Sequence, residues 1–223
     1  MWFAGGASST GSAGSWLSSL RRVNPRIALA LLLVGVLALG AVVLAASGGG
    51  DDQPVAAPNE FAGATRPAGA RAPDFELRDE QGKPVSMRAL RGQPVVVTFL
   101  YSHCQDTCPI TAQTIRGALD DLGHDVPALA ISVDPPNDTP ASARKFLAEQ
   151  RANGRIRFVL GTRAELRPIW NDYGVTPQRV TEEHIAHITL VDARGFQRVG
   201  YPISQATPER LAHDVALLER QSG

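Results

Sequence analysis

From about residue 71 onward the apolar positions follow two periods in turn. Val95 to Leu100 (VVVTFL) is a continuous β-branched and apolar run, the pattern of a strand covered on both faces. Val126 to Val133 (VPALAISV) reads the same way. Arg157 to Leu160 predicts a short strand, and Ile185 to Val191 and Phe196 to Val199 predict two more around the turn Asp192-Ala-Arg-Gly195. Ala72-Pro-Asp-Phe-Glu-Leu and Gly82-Lys-Pro-Val predict two short strands around an earlier turn. Between strands the spacing turns helical. Ile110, Thr114, Leu119 and Leu122 mark a helix over Pro109 to Leu122. Asp138-Thr139-Pro140 opens a second helix, with Asp or Thr as cap and Pro in the first turn, running to about Asn153. Thr162 opens a third that ends near Gly174, and Thr207-Pro208 caps a last one to about Arg220. This order predicts an α/β fold, a mixed β-sheet flanked by helices on both faces. In such sheets reactive groups gather beyond the carboxyl ends of strands, where Cys104 and Asp134 stand.

The first 70 residues have a different pattern. Residues 1–26 are rich in Gly, Ser and Ala and read as a disordered N-terminus. Residues 27–46 (IALALLLVGVLALGAVVLAA) carry no charge and are long enough to cross a bilayer as one helix. Arg21, Arg22 and Arg26 precede this segment and Asp51 and Asp52 follow it, which places the N-terminus in the cytoplasm and the rest outside. The expectation is a single-pass anchor in the cell membrane with an extracytoplasmic domain; a cleaved signal peptide is the competing reading. Residues 47–70 are rich in Gly, Pro, Ala and Asp and read as a flexible linker, leaving 71–223 as one domain. Lys plus Arg equals Asp plus Glu at 22 each, so the charge balance gives no reason to expect nucleic acid as a partner.

The candidate chemistry lies in Phe99-Leu-Tyr-Ser-His-Cys-Gln-Asp-Thr-Cys-Pro109, which holds the only two cysteines, Cys104 and Cys108. Residues four apart share one face of a helical turn, so the two sulfurs can converge on a metal ion or on each other. Pro109 suits the first helical position, and a helix N-terminus beside Cys108 is expected to lower its thiol pKa. A histidine-bearing strand around His184 supplies a candidate third group. Two thiolates and one imidazole form a soft mixed site that suits copper, with zinc as the other occupant. A purely structural disulfide is the plain alternative, but closing so short a loop stabilises little.

The run Phe99-x-Tyr-Ser-His-Cys-x-Asp-x-Cys-Pro109 resembles the signature of the SCO/SenC family of copper proteins. Ser132-Val-Asp-Pro-Pro-Asn-Asp-Thr-Pro140 is similar to that family's Asp-Pro-x-x-Asp-Thr stretch, and Gly161-Thr-Arg-Ala-Glu-Leu to its approach to the next helix. His184 precedes Gly195 as the family's ligand histidine precedes its hairpin glycine. Gln105 departs from the pattern, standing where the family usually has Pro. The resemblance covers about residues 72–220. It implies a thioredoxin-like fold behind a single membrane anchor, with copper held by Cys104, Cys108 and His184. It further implies a metallochaperone role, supplying copper or reducing equivalents to the binuclear copper centre of a cytochrome c oxidase subunit or to another copper or thiol client.

Other residues have plainer readings. His187 lies three positions after His184 and so faces the other side of a strand. His103 reads as exposed, and His124 and His213 as solvent-facing. Asp134 suits either a contact near the site or a turn before Pro135, Asp138 a helix cap, and Trp170 and Tyr173 the core and its rim. A metal-free thiol–disulfide oxidoreductase, with Cys104 attacking and Cys108 resolving, is the competing function; the three residues between the cysteines, against two in thioredoxin-type enzymes, weigh against it. A peroxidase needs a Thr a few residues ahead of its cysteine, and Leu100 to His103 offer none.

Overall fold

The computed structural model describes residues 26, 29, 31–36, 59–176 and 187–222. The chain divides into two compact units, 1–53 and 54–223. In the first, residues 31–36 are helical and their leucine and valine side chains are exposed. Among the described residues no helix is long and apolar enough to cross a membrane. Most of the apolar segment 27–46, linker residues 47–58 and His184 lie outside the described residues.

The second unit forms β1 (Ala64–Thr65), β2 (Glu76–Asp79), β3 (Pro84–Ser86), β4 (Val95–Leu100), α1 (Thr107–Leu122), β5 (Ala128–Ser132), α2 (Pro140–Glu149), β6 (Arg157–Leu160), α3 (Arg163–Tyr173), β7 (His187–Val191), β8 (Gln197–Pro202), a short 3-10 turn (Ile203–Gln205) and α4 (Pro208–Arg220). The strands make one sheet in the order β1-β8-β7-β4-β5-β6-β2-β3. β4, β5 and β6 are parallel; the strands on either flank are antiparallel additions.

The unbroken apolar run of β4 reflects its central place. Val96 and Leu100 pack with Ile115 and Leu119 of α1, Phe146 of α2 and Leu211 and Val215 of α4. Val95, Val97 and Phe99 face the other way, onto Leu166, Ile169, Trp170 and Tyr173 of α3. Each such side chain contributes roughly 1.5–3 kcal/mol by leaving water. The helix starts follow the sequence signals. Thr139 and Thr162 each close a capping box, with Ser142 and Glu165, and Thr207 caps α4 ahead of Pro208. α2 ends at Glu149, short of the expected Asn153, because Arg151 adopts a left-handed backbone at φ 54°. α1 starts at Thr107 rather than at Pro109, which puts Pro109 third in the helix, where its missing N–H is still an orphan position.

The largest departure from expectation concerns residues 59–70, the second half of the expected linker 47–70. They are docked on the domain. β1 pairs with β8, Ala64 opposite Gly200. The backbone N–H groups of Ala62 and Gly63 donate to the fully buried Asp214 carboxylate at 2.8 and 3.0 Å, and the Tyr201 hydroxyl donates to the same group. Gly63 lies where a Cβ would come within 2.5 Å of Val199. A segment of small and turn-forming residues thus binds through its backbone, which composition does not reveal.

Candidate metal and thiol site

β4 ends at Leu100, and a loop over 101–106 carries the chain to α1. Cys104 lies in this loop and Cys108 in the first turn of the helix, so the expected common helical face is replaced by a loop folded back on a helix start. The two thiols still converge. The Cys108 N–H donates to the Cys104 sulfur at 3.3 Å. Both are free of disulfide bonding, and they are 6% and 0% exposed.

The helix cap explains the contact. Asp106 occupies the N-cap position of α1 but makes no side-chain cap hydrogen bond. The first N–H groups of a helix need acceptors, and the Cys104 sulfur accepts one of them. The thiols therefore ionise at opposite ends of the scale. The Cys104 pKa is lowered, first by a hydrogen bond from the Cys108 thiol, then by the backbone N–H groups of Asp106 and Cys108 and by the Tyr101 hydroxyl, against the opposing effect of burial. The Cys108 pKa is raised by its bond to Cys104 and by its own burial. This corrects the expectation for Cys108: the donors of the helix N-terminus point at the preceding cysteine, so it is the Cys104 thiol whose pKa is lowered.

Asp138 holds the loop in place. Thr139, not Asp138, caps α2. The Asp138 carboxylate is 7% exposed and accepts from the Ser102 N–H and hydroxyl, both at 2.7 Å, and from the Ser132 hydroxyl at 2.5 Å. It thereby ties the cysteine loop to the end of β5. Burial raises its pKa above the ordinary carboxylate value, while the serine bonds pull it down. The sequence reading missed this role. The signal available was a pair of serines flanking the two parallel strand ends. Asp134 makes the turn: its carboxylate accepts from Asn137 at 2.8 Å and its carbonyl from the Asn137 and Asp138 N–H groups.

The histidines divide as follows. His184 lies outside the described residues. His187 starts β7 beside Phe99, ring centroids 5.5 Å apart, on the α3 side of the sheet. Cys104 and Cys108 pack on the opposite side, with Ile188 and Leu190. His103 is exposed, its Nδ1 3.1 Å from the Ser102 hydroxyl. His124 is exposed and pairs with Glu219, whereas His213 is half-buried beside Asp214. Trp170 and Tyr173 are both core, and the Trp170 indole donates to the Ser132 carbonyl at 2.9 Å. Among the described residues no group of three metal-ligating side chains assembles, and the cysteines stand as a buried pair.

Comparison with known proteins places the chain in a family and a fold. The mitochondrial protein SCO2 of Saccharomyces cerevisiae is 30% identical over 54% of this chain, and this chain spans 44% of that protein's length. ScoI of Bradyrhizobium japonicum, solved with copper bound, is 30% identical with a TM-score of 0.53, covering 66% of this chain and 98% of that one. BsSco, a member of the Sco family of cytochrome c oxidase assembly proteins, is 24% identical and shares the thioredoxin-like fold with a TM-score of 0.61, over 70% of this chain and 98% of that one. The SCO1/SenC profile matches residues 63–218, well over half the sequence and including both cysteines, and the chain belongs to the SCO1/SenC family.

Proposed function

We propose that this chain is a membrane-anchored copper metallochaperone that holds one copper ion through Cys104, Cys108 and His184 and serves assembly of the binuclear copper centre of cytochrome c oxidase. The observation that carries the reading is the free, buried cysteine pair in contact at the start of α1, in a member of this family. Copper is the cargo. A thiolate and an adjacent thiol that yields its proton on metal binding supply two soft donors. The third donor is a histidine by the same logic, since a neutral imidazole completes a mixed sulfur and nitrogen set. His187 lies on the α3 side of the sheet, away from the cysteines, and His184 is the histidine that the family resemblance points to.

The test is an anaerobic Cu(I) titration of the reduced full chain in detergent against a competing chelator. One tightly held copper supports the reading. His184→Ala should weaken it by at least about tenfold, or about 1.4 kcal/mol. Tight copper in both single cysteine variants would overturn the site.

The unequal ionisation of the cysteines favours a second activity at the same place, reduction of client thiols before metal delivery. The Cys104 thiolate attacks a client disulfide, forming a mixed disulfide and releasing one client thiolate. Cys108 then gives up its proton and displaces the second client sulfur. The client gains two electrons, one proton from Cys108 and one from solvent, and Cys104–Cys108 becomes the disulfide. Retention of this activity in His184→Ala, with copper lost, would show that the two roles separate.

A further inference from the structure

At the end of the sheet away from the cysteines, a cluster of arginines surrounds the β7–β8 turn. β4 and β7 are antiparallel, with Val95 opposite Val191, so residues 192–195 lie beyond the start of β4 and Cys104 beyond its end. The two places are separated by the length of the strand, roughly 20 Å. Around the turn, Arg71 and Arg194 flank the Phe196 ring at 4.6 and 5.8 Å. Arg91 reaches the Arg194 carbonyl at 3.0 Å. Arg66, Arg194 and Arg198 line a cavity of about 380 Å³ together with Asp192, Phe196 and Gln197.

The charges there are unbalanced. Five guanidinium groups, from Arg66, Arg71, Arg91, Arg194 and Arg198, face two carboxylates. Asp74 pairs with Arg91 at 3.0 Å, and Asp192 with Arg198 at 3.0 Å and Arg194 at 3.5 Å. Asp192 is also committed to the turn, accepting from the Arg194 and Phe196 N–H groups. Arg66 and Arg71 have no carboxylate partner among the described residues. One Arg66 Nη donates to Gln197 and to the Tyr173 carbonyl, while its Nε is buried with no hydrogen-bond partner. The half-buried Arg66 thus keeps an unused Nε donor beside further arginines, and guanidinium groups favour oxyanions.

We propose that this arginine-lined cavity binds a phosphate group, supplied either by an anionic lipid headgroup or by a free phosphate ester. The guanidinium groups of Arg66, Arg194 and Arg198 supply the forked donors, and Arg71 and Arg91 extend the positive field to the approach. Asp192 stays paired and keeps the turn rigid. Occupation of the site leaves the cysteine loop untouched, because the two lie at opposite ends of the sheet.

The test uses the full chain in detergent and in nanodiscs, with arginine modification by phenylglyoxal read residue by residue by mass spectrometry. Inorganic phosphate is one arm. Nanodiscs of phosphatidylglycerol with phosphatidylcholine, against phosphatidylcholine alone, are the other. Slowed modification of Arg194 and Arg198 with phosphate alone assigns a free phosphate ester. Slowed modification only on the anionic nanodiscs assigns a lipid headgroup. The exposed substitution Arg194→Gln, with an unchanged thermal melt, should weaken protection at Arg198 by about tenfold, the loss of one charged contact. Absence of protection in both arms, or full protection of Arg198 in Arg194→Gln, would overturn the proposal.

Discussion

Two residues of the same type, four apart, differ here in their chemistry because one sits before a helix and the other within its first turn. Cys104 collects the donors that Asp106 leaves uncapped, while Cys108 lends it a proton. Reaction with iodoacetamide should therefore begin at Cys104, at a pH below the ordinary thiol range, with Cys108 slow until well above it. Cys108→Ala removes the largest of the effects that lower Cys104, so the onset of Cys104 alkylation should move up toward the free-thiol value; an unchanged profile would show that the backbone donors suffice. Asp138 gives a second prediction. Alanine there strands the Ser102 and Ser132 donors, a loss of roughly 2–3 kcal/mol for a buried charged acceptor, read as a lower urea midpoint. Asparagine at the same position keeps an acceptor oxygen for Ser102, so Asp138→Asn should cost less than Asp138→Ala. The cysteine pair was legible in the sequence from its spacing and position. The Asp138 network was not, because a capping signal and a buried acceptor look alike in Asp-Thr-Pro, and only burial separates them.

Strong local signals fixed the elements best where two of them agreed. β4 was legible because its six residues are short and rich in β-branched side chains, which favours a strand buried on both faces over a buried helix. α3 was legible because Gly161-Thr162 with Glu165 writes its start and Gly174, at φ 69°, its end. The start of α1 was missed by two residues because its cap is a sulfur, outside the usual capping set. β1 was missed because its two residues carry no pattern: the pairing is supplied by β8, and the anchor is Asp214, some 150 positions away in the sequence. Gly63 tests that docking. A Cβ there would sit 2.5 Å from Val199 and 2.6 Å from the Tyr201 ring, with no flexible neighbour to give way. Gly63→Ala should cost about 1–3 kcal/mol by overpacking and expose residues 59–70 to limited proteolysis, while the Cu(I) stoichiometry stays at one. Resistance equal to that of the wild type would mean that the strand holds without close packing.

At the scale of the whole chain, the proposed role joins a delivery domain to an apolar leader, and the leader would decide where the thiols work. As one helix, residues 27–46 would extend about 30 Å at 1.5 Å per residue, the thickness of a hydrocarbon core. With residues 59–70 docked on the domain, residues 47–58 would be left as tether behind such an anchor, a reach of at most about 40 Å if extended. So short a tether would confine the cysteine pair to a thin layer above the bilayer and raise its effective concentration toward a membrane-bound client. Removal of residues 1–53 should release the protein from membranes on alkaline carbonate washing, whereas the full chain stays with the pellet. Doubling the tether with Gly and Ser should leave copper affinity unchanged yet slow copper transfer to a membrane-embedded acceptor, because the local concentration falls as the tether lengthens. Equal transfer rates from the tethered chain and the released domain would show that the leader places the protein without contributing to delivery.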